Sequence, residues 1–285
     1  MVRIERRGQV AVVYLSRPEQ RNTVTYAVLD ALIEAVDTLD RDDDVRAVVL
    51  TGDGEFFSAG TDLSARDGFA ADGADFRPLR GGDRDVGGEL ALRIFEATLP
   101  FLAAFNGTAV GIGVTMTLPM DFRIADERAR FGLPFTRRGI VPESCASWFL
   151  PRLVGISRAL DWTMTGRLFT APEALEAGLI SEVVPTGTAL DRALEIADGL
   201  ASTSSPVAIA LTRQLLWKGL TARHPVSANR AESDALLALS GSPDAQEGVR
   251  AFREKRPARF VSGHWSGLPD VQTWWDTPPF REPDR

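Results

Sequence analysis

The sequence predicts an α/β fold in its first half and a mostly helical second half. Short β-branched runs alternate with helix-period segments up to about residue 140, helical periodicity dominates after Pro142, and glycine-bearing turns lie between runs and helices. Val10 to Leu15 is a continuous apolar run that stops at Ser16-Arg17-Pro18, the pattern of a buried strand. Val28, Leu29, Leu32, Val36 and Leu39 recur at helical spacing, and the acidic stretch Asp40 to Asp44 separates them from a second strand over Val45 to Thr51. Phe101 to Phe105 reads as a third strand. After Asn106-Gly107, the segment Gly111-Ile112-Gly113 opens an apolar helix to about Leu118. Asp121 to Ala125 and Arg130-Phe131 read as further short strands.

Beyond Pro142, helices are expected near 157–165, 189–200, 206–219, 227–239 and 243–255, and Thr170-Ala-Pro-Glu173 has capping-box spacing with proline where a helix accepts it. No internal repeat stands out. Residues 64–88, rich in Gly, Asp and Arg, are too long and polar for an ordinary connection and read as an insert. The segment 262–285 carries Trp265, Trp274 and Trp275 with Pro278-Pro279, and that tryptophan content predicts a tail packed on its own subunit or a neighbour. The expected division is a core over 1–200 with the insert 64–88, a helical region over 201–261 and a tail over 262–285.

The 285 residues include 32 Lys+Arg against 39 Asp+Glu, a net charge of −7 that argues against a nucleic-acid partner. The single cysteine, Cys145, excludes an internal disulfide framework and a multi-cysteine metal site, and fits a reducing cytoplasm. Apolar runs fall far short of the ~20 residues that cross a bilayer. With His224 and His264 the only histidines, a Ser-His-Asp site has little support, and chemistry is sought in carboxylates and backbone. Both histidines, and Cys145 as a buried thiol, are read as packing or surface residues.

Two backbone-rich motifs carry the functional signal. One is Phe56-Phe-Ser-Ala-Gly-Thr-Asp-Leu63, and the other is Asn106-Gly-Thr-Ala-Val-Gly-Ile-Gly113. A glycine turn leading into a helix leaves free N–H groups suited to a negative oxygen. Taken with Leu15-Ser-Arg-Pro-Glu-Gln-Arg-Asn22, Val45 to Gly52, Asp121 to Ala125, Phe131-Gly132 and Phe252-Arg-Glu-Lys-Arg256, the order and spacing resemble the crotonase family, also called the enoyl-CoA hydratase/isomerase family, over roughly residues 5 to 260. The resemblance implies a spiral of ββα units and a C-terminal helical trimerisation region, with a homotrimer or dimer of trimers as the assembly. It also implies acyl-CoA thioester substrates, with coenzyme A entering as part of the substrate and no other cofactor or metal.

By the same resemblance, the backbone N–H groups of Thr61 and Ile112 form an oxyanion hole for the thioester carbonyl. Ile112 replaces the family's usual glycine; isoleucine tolerates a positive φ poorly, so a narrower pocket or an altered loop is expected there. Arg17, Arg21 and Ala59 fall on CoA-contacting motif positions, and Phe252 and Lys255 match a pair that reaches a neighbouring subunit's CoA. Asp62 reads as a structural acid that holds its loop, and residues 64–88 are expected to roof the acyl end.

The family's hydratases activate water with two glutamates. Their positions fall on Thr115 and Phe135, neither of which is a comparable base. Gly139-Ile-Val-Pro-Glu-Ser144 instead resembles the segment carrying the single glutamate of Δ3-Δ2-enoyl-CoA isomerases, which maps to Glu143. One carboxylate suffices to move a proton from C2 to C4, and Phe135 is expected to exclude water and raise the carboxyl's pKa. The favoured reading is therefore a double-bond shift. Hydration or a dehalogenase- or hydrolase-type reaction through Glu143 is the alternative, and a non-catalytic acyl-CoA-binding protein is a further one. A glutamate after Pro142 is also what a helix start accepts, a reading that needs no function.

Overall fold

The computed structural model describes residues 1–63 and 85–269. In chain order its elements are β1 (Val2–Arg7), β2 (Val10–Leu15), α1 (Tyr26–Leu39), β3 (Ala47–Gly52), β4 (Phe56–Ser58), α2 (Val86–Glu96), β5 (Phe101–Phe105), β6 (Thr108–Val110) and α3 (Ile112–Thr115). There follow β7 (Phe122–Asp126), β8 (Arg130–Gly132), α4 (Ala146–Thr165), β9 (Leu168–Thr170), α5 (Ala171–Glu176), β10 (Glu182–Val184) and the helices α6 (Ala189–Thr203), α7 (Pro206–Gly219), α8 (Pro225–Leu239) and α9 (Pro243–Glu254).

Two sheets share the strands. One runs β1-β2-β3-β5-β7-β10 and the other β4-β6-β8-β9. Successive strand pairs β3/β4, β5/β6 and β7/β8 each contribute one strand to each sheet before a helix follows, which is the ββα spiral that the family resemblance implies. In the larger sheet β1 pairs antiparallel with β2 and the other neighbours pair parallel. Every residue of β2, β3 and β5 is buried. Parallel strands covered on both faces need unbroken apolar runs, and these segments have them.

The helices form where their signals lie. α1 begins at Thr25, whose hydroxyl accepts the Val28 N–H at 3.3 Å, and it buries Val28, Leu29, Leu32, Val36 and Leu39. Thr170 caps α5 as its spacing predicts, accepting the Glu173 N–H at 3.2 Å. α4 is longer than its periodicity suggests: it starts at Ala146 and breaks at Gly155 (φ 74°, ψ 157°), so the expected 157–165 helix is its second segment. Of the supposed insert, 64–84 lies outside the described residues; 85–88 belongs to the start of α2, where Asp85 is the N-cap.

The C-terminal helices are tied to the core by one buried cation. Arg213 on α7 donates to the carbonyls of Ile94, Phe95 and Ala97 at the end of α2, to that of Pro119, and to Asp121 at 2.9 Å. Asp121 in turn accepts the Trp217 indole N–H at 2.8 Å and the Phe101 N–H at 2.8 Å. Residues 262–269 of the expected tail dock on the loop after α1. His264 is 1% exposed with Nε2 3.0 Å from the Asp40 carbonyl, and the Trp265 N–H donates to Asp43 at 2.9 Å. Trp274 and Trp275 lie outside the described residues. His224 caps α8, its Nδ1 accepting the Val226 N–H at 3.2 Å, so both histidines are structural.

Replacing Arg213 with Met should destabilise the protein by about 3–5 kcal/mol, because Asp121 and several carbonyls lose a buried donor at once. Urea denaturation of the two proteins measures it, and a difference under 1 kcal/mol would contradict the account.

Candidate active site

The Arg-Pro-Glu-x-x-Asn segment builds the floor of one loop. Asn22 adopts a left-handed φ of 53° and is 1% exposed. Its Oδ1 accepts the Arg17 N–H at 2.9 Å, and its Nδ2 donates to the carbonyls of Asp53 (2.9 Å) and Phe56 (2.7 Å). Arg17 Nη2 meets Asp62 Oδ2 at 3.0 Å and its Nη1 donates to the Thr23 carbonyl at 2.8 Å. Asp62 is thus a loop-holding acid, as expected, and Arg17 is engaged in holding it. Arg21 lies over the Phe56 ring, 5.3 Å from its centroid, and its carbonyl accepts the Ala59 N–H at 2.9 Å.

This floor presents Thr61. Val24 pairs with Thr61 in a parallel bridge, through bonds from the Val24 N–H to Gly60 O (2.8 Å) and from the Asp62 N–H to Val24 O (2.9 Å). The middle residue of such a bridge turns its own N–H to the opposite side. The Thr61 N–H therefore points away from Val24 and has no acceptor among the described residues. Gly60 lies against the second loop: at φ 93°, a Cβ on it would come within 2.8 Å of the Val110 carbonyl oxygen.

In that second loop the unusual conformation falls on Gly111 (φ 57°, ψ −123°), while Ile112 is the ordinary first residue of α3. The expectation of strain at Ile112 is corrected accordingly: the glycine before it supplies the turn. As the first helical residue, Ile112 has no carbonyl one turn back, and its N–H is free among the described residues. Its side chain is 5% exposed and packs toward Gly87 of α2.

A cleft joins the two loops, lined by Ala59, Gly60, Thr61 and Leu63 on one side and by Val110, Gly111, Pro134, Phe135, Arg138 and Ile140 on the other. Phe135 is 6% exposed, so its ring is part of the core wall. A second hollow beside α9, lined by Glu247, Arg250, Arg256, Pro257 and Arg259, holds none of the expected site residues. Phe252, 85% exposed on α9, and Lys255 just beyond it share no hydrogen bond or ion pair with the cleft among the described residues.

Glu143 does not line this cleft; its carboxylate is bonded to Thr115 of α3 behind it. Its Oε1 accepts the Thr115 hydroxyl at 2.5 Å and its Oε2 accepts the hydroxyl of Ser144. A Cβ on Gly87 would fall 2.3 Å from Oε2 and 3.1 Å from Ile112 Cδ1, so the carboxylate occupies the place a side chain of α2 would take. Glu143 as a residue is half-buried, yet its carboxylate is enclosed, and burial is the first cause that raises its pKa from 4.5 to about 7. The Ser144 and Thr115 hydroxyls pull in the opposite direction, and the charge of Asp85 adds to the rise. A carboxyl that exchanges its proton near neutrality suits general acid-base work. Ser144 and Cys145 both hold φ of 56°, a costly conformation for non-glycine residues directly after the glutamate.

The structure therefore brings together Thr61, Ala59 and Phe135 around the cleft, and Ile112, Thr115 and Glu143 behind it. Sequence reasoning missed Gly87, Ser144 and Asp85. Ser144 adjoins Glu143 in the motif and could have been noticed, whereas nothing in the sequence marks Gly87 or Asp85. No group of three or more metal-ligating side chains occurs among the described residues, and no described helix is long and apolar enough to cross a membrane.

Comparison with known proteins matches the enoyl-CoA hydratase/isomerase family over residues 5–263. An enoyl-CoA hydratase of Alternaria alternata is 44% identical over 252 residues, covering 88% of this chain and 82% of the relative. Among solved structures, an enoyl-CoA hydratase from Bacillus anthracis superposes with a TM-score of 0.82 at 31% identity, over 91% of this chain and 98% of the other. One from Polaromonas sp. JS666 gives 0.84 at 26% identity, over 91% and 99%.

Gly87→Ala should lower kcat by more than ten-fold while leaving the melting temperature nearly unchanged, because the new methyl displaces the glutamate as helix propensity improves; equal kcat would refute the packing described. Glu143 also links pH to stability. Its folded pKa of about 7 lies above the ordinary 4.5, so the stability it confers is full below 4.5 and is lost as pH rises through 7. Glu143→Gln should match the parent near pH 4 and exceed it by up to about 3 kcal/mol at pH 8, measured by denaturant titration at each pH.

Proposed function

Because the chain belongs to the enoyl-CoA hydratase/isomerase family and is an acyl-CoA enzyme of crotonase fold, we propose that it moves a carbon–carbon double bond in an enoyl-CoA, with Glu143 carrying the proton. The observation that carries this reading is the enclosed carboxyl of Glu143, pushed up to about 7 by burial and held by Thr115, with Phe135 at the other glutamate position. Glu143 takes a proton from C2 of a 3-enoyl thioester, leaving a dienolate whose negative oxygen is held by the N–H groups of Thr61 and Ile112. The protonated glutamate then delivers its proton to C4, the double bond settles between C2 and C3, and the carboxylate is restored. Two preset donors stabilise the dienolate more than the neutral thioester, which is how they accelerate the step. Burial does the complementary work, since a carboxylate stripped of water is a stronger base.

Hydration is the second reading, favoured by the name of the Alternaria relative, an enoyl-CoA hydratase. In that reaction Glu143 would activate a water, and the Thr115 and Ser144 hydroxyls would share in holding it.

Substrate binding follows the same proposal. Ala59 and Arg21 border the cleft loop from which a CoA would be gripped, while Arg17 supports that loop through Asp62. A homotrimer or dimer of trimers would bring Phe252 and Lys255 to a neighbour's CoA. The exposed apolar side chains of Leu216 (70%), Leu236 (71%) and Leu237 (77%) on the C-terminal helices support such an assembly.

Assaying 3-enoyl- and 2-enoyl-CoAs for isomerisation, water addition and CoA release tests the proposal. Conversion of the 3-enoyl to the 2-enoyl thioester is expected, with a loss of about 10²-fold or more in Glu143→Gln. Water addition as the dominant reaction would replace the reading with hydration, CoA release would replace it with hydrolysis, and tight binding without turnover would make the protein a binder.

A further inference from the structure

The turn that carries Glu143 is fastened to a different element by one carboxylate. Asp85, the N-cap of α2, accepts the Gly88 N–H, as a cap does, and the same Oδ1 also accepts the N–H of Ser144 at 3.1 Å. A cap needs the first bond only. The second reaches the residue after Glu143, which holds φ of 56°, is followed by Cys145 at the same φ, and offers its hydroxyl to Glu143 Oε2. Each such conformation is costly for a non-glycine residue and persists where surrounding contacts determine it.

We propose that Asp85 is a positioning residue for Glu143, clamping the Glu143-Ser144-Cys145 turn to the first turn of α2 so that the glutamate stays seated over Gly87. This deepens the reading of Glu143 as the acid-base group and rests on it. The clamp has a second effect because Asp85 is itself charged. Among the described residues the glutamate's other neighbours are Thr115 of α3, Gly87 of α2 and Ser144, all uncharged, with the Cys145 thiol next along its own chain. Asp85 is thus the charged neighbour that opposes ionisation of Glu143.

Two substitutions separate the effects. Asp85→Asn keeps the cap and an acceptor for the Ser144 N–H but removes the charge, whereas Asp85→Ala removes both. The readout is the 13C NMR titration of protein labelled at glutamate Cδ, in which the Glu143 resonance is identified by its absence in Glu143→Gln. In Asp85→Asn that resonance should titrate lower, by on the order of half a pH unit, and the acid limb of kcat/KM should move with it at unchanged melting temperature. In Asp85→Ala, kcat should fall by about ten-fold or more with little change in KM, and Asp85→Asn should retain most of it at alkaline pH. Full kcat in folded Asp85→Ala overturns the clamp, as does loss of activity in both variants only in proportion to the unfolded fraction, and an identical Glu143 titration in the parent and Asp85→Asn overturns the effect of the charge. Should Asp85→Ala not fold, Asp85→Ser, which keeps a helix cap but is too short to reach the Ser144 N–H as well, takes its place. Since the NMR titration needs no substrate, it stands even if the double-bond assay fails.

Discussion

The close approach of two backbones, Gly60 against Val110, is the constraint on which the site depends. The separation there leaves no room for a Cβ, and the same closeness recurs where Gly113 of α3 lies against Ser58, with a would-be Cβ 2.8 Å from the Ser58 carbonyl oxygen. Both contacts follow from the parallel pairing of β4 with β6, which brings the ends of two successive ββα units side by side. Once the strands pair, the N–H of Thr61 and the N–H of Ile112 are placed by backbone geometry alone. In the proposed oxyanion hole the identity of their side chains therefore matters little, and isoleucine is compatible with the second position.

Glu143 shows the opposite logic, in which a side chain is defined by what encloses it. Burial disfavours its ionised form, while two hydroxyls and their short bonds favour it, and burial prevails. The result is a carboxyl pushed up to about 7, which suits the proton transfer proposed for it. The enclosure is assembled from α2, α3 and the turn before α4, so the property belongs to the packing of three elements. Arg213 holds the opposite end of α2, through the carbonyls of Ile94 and Ala97.

Much of the fold was legible because buried parallel strands must be continuous apolar runs. Val10–Leu15 and Phe101–Phe105 were read to the residue. β1 was not, since Val-Arg-Ile-Glu-Arg-Arg is an exposed edge strand whose charges resemble a loop. The three-residue strands of the second sheet are too short to carry a period, and the first half of α4 was hidden by Pro151 and the break at Gly155. In the site, Glu143, Thr61 and Ile112 were reached through resemblance to family motifs. Asn22 and Asp62 could be seen in those motifs but not what they bond.

From the sequence by itself came the α/β class and the acidic charge, and, through the resemblance its motifs carry, the proposal of Glu143 among 39 acidic residues. Composition, period and local motif all survive in one dimension. The tertiary structure alone decided that the φ of 57° belongs to Gly111 and not to Ile112, that Arg17 serves Asp62, and that Gly87 yields its side-chain space to a carboxylate. Each of these depends on atoms far apart in the chain meeting within bonding or van der Waals distance. No local pattern encodes such a meeting, because it arises only when strands pair and helices pack.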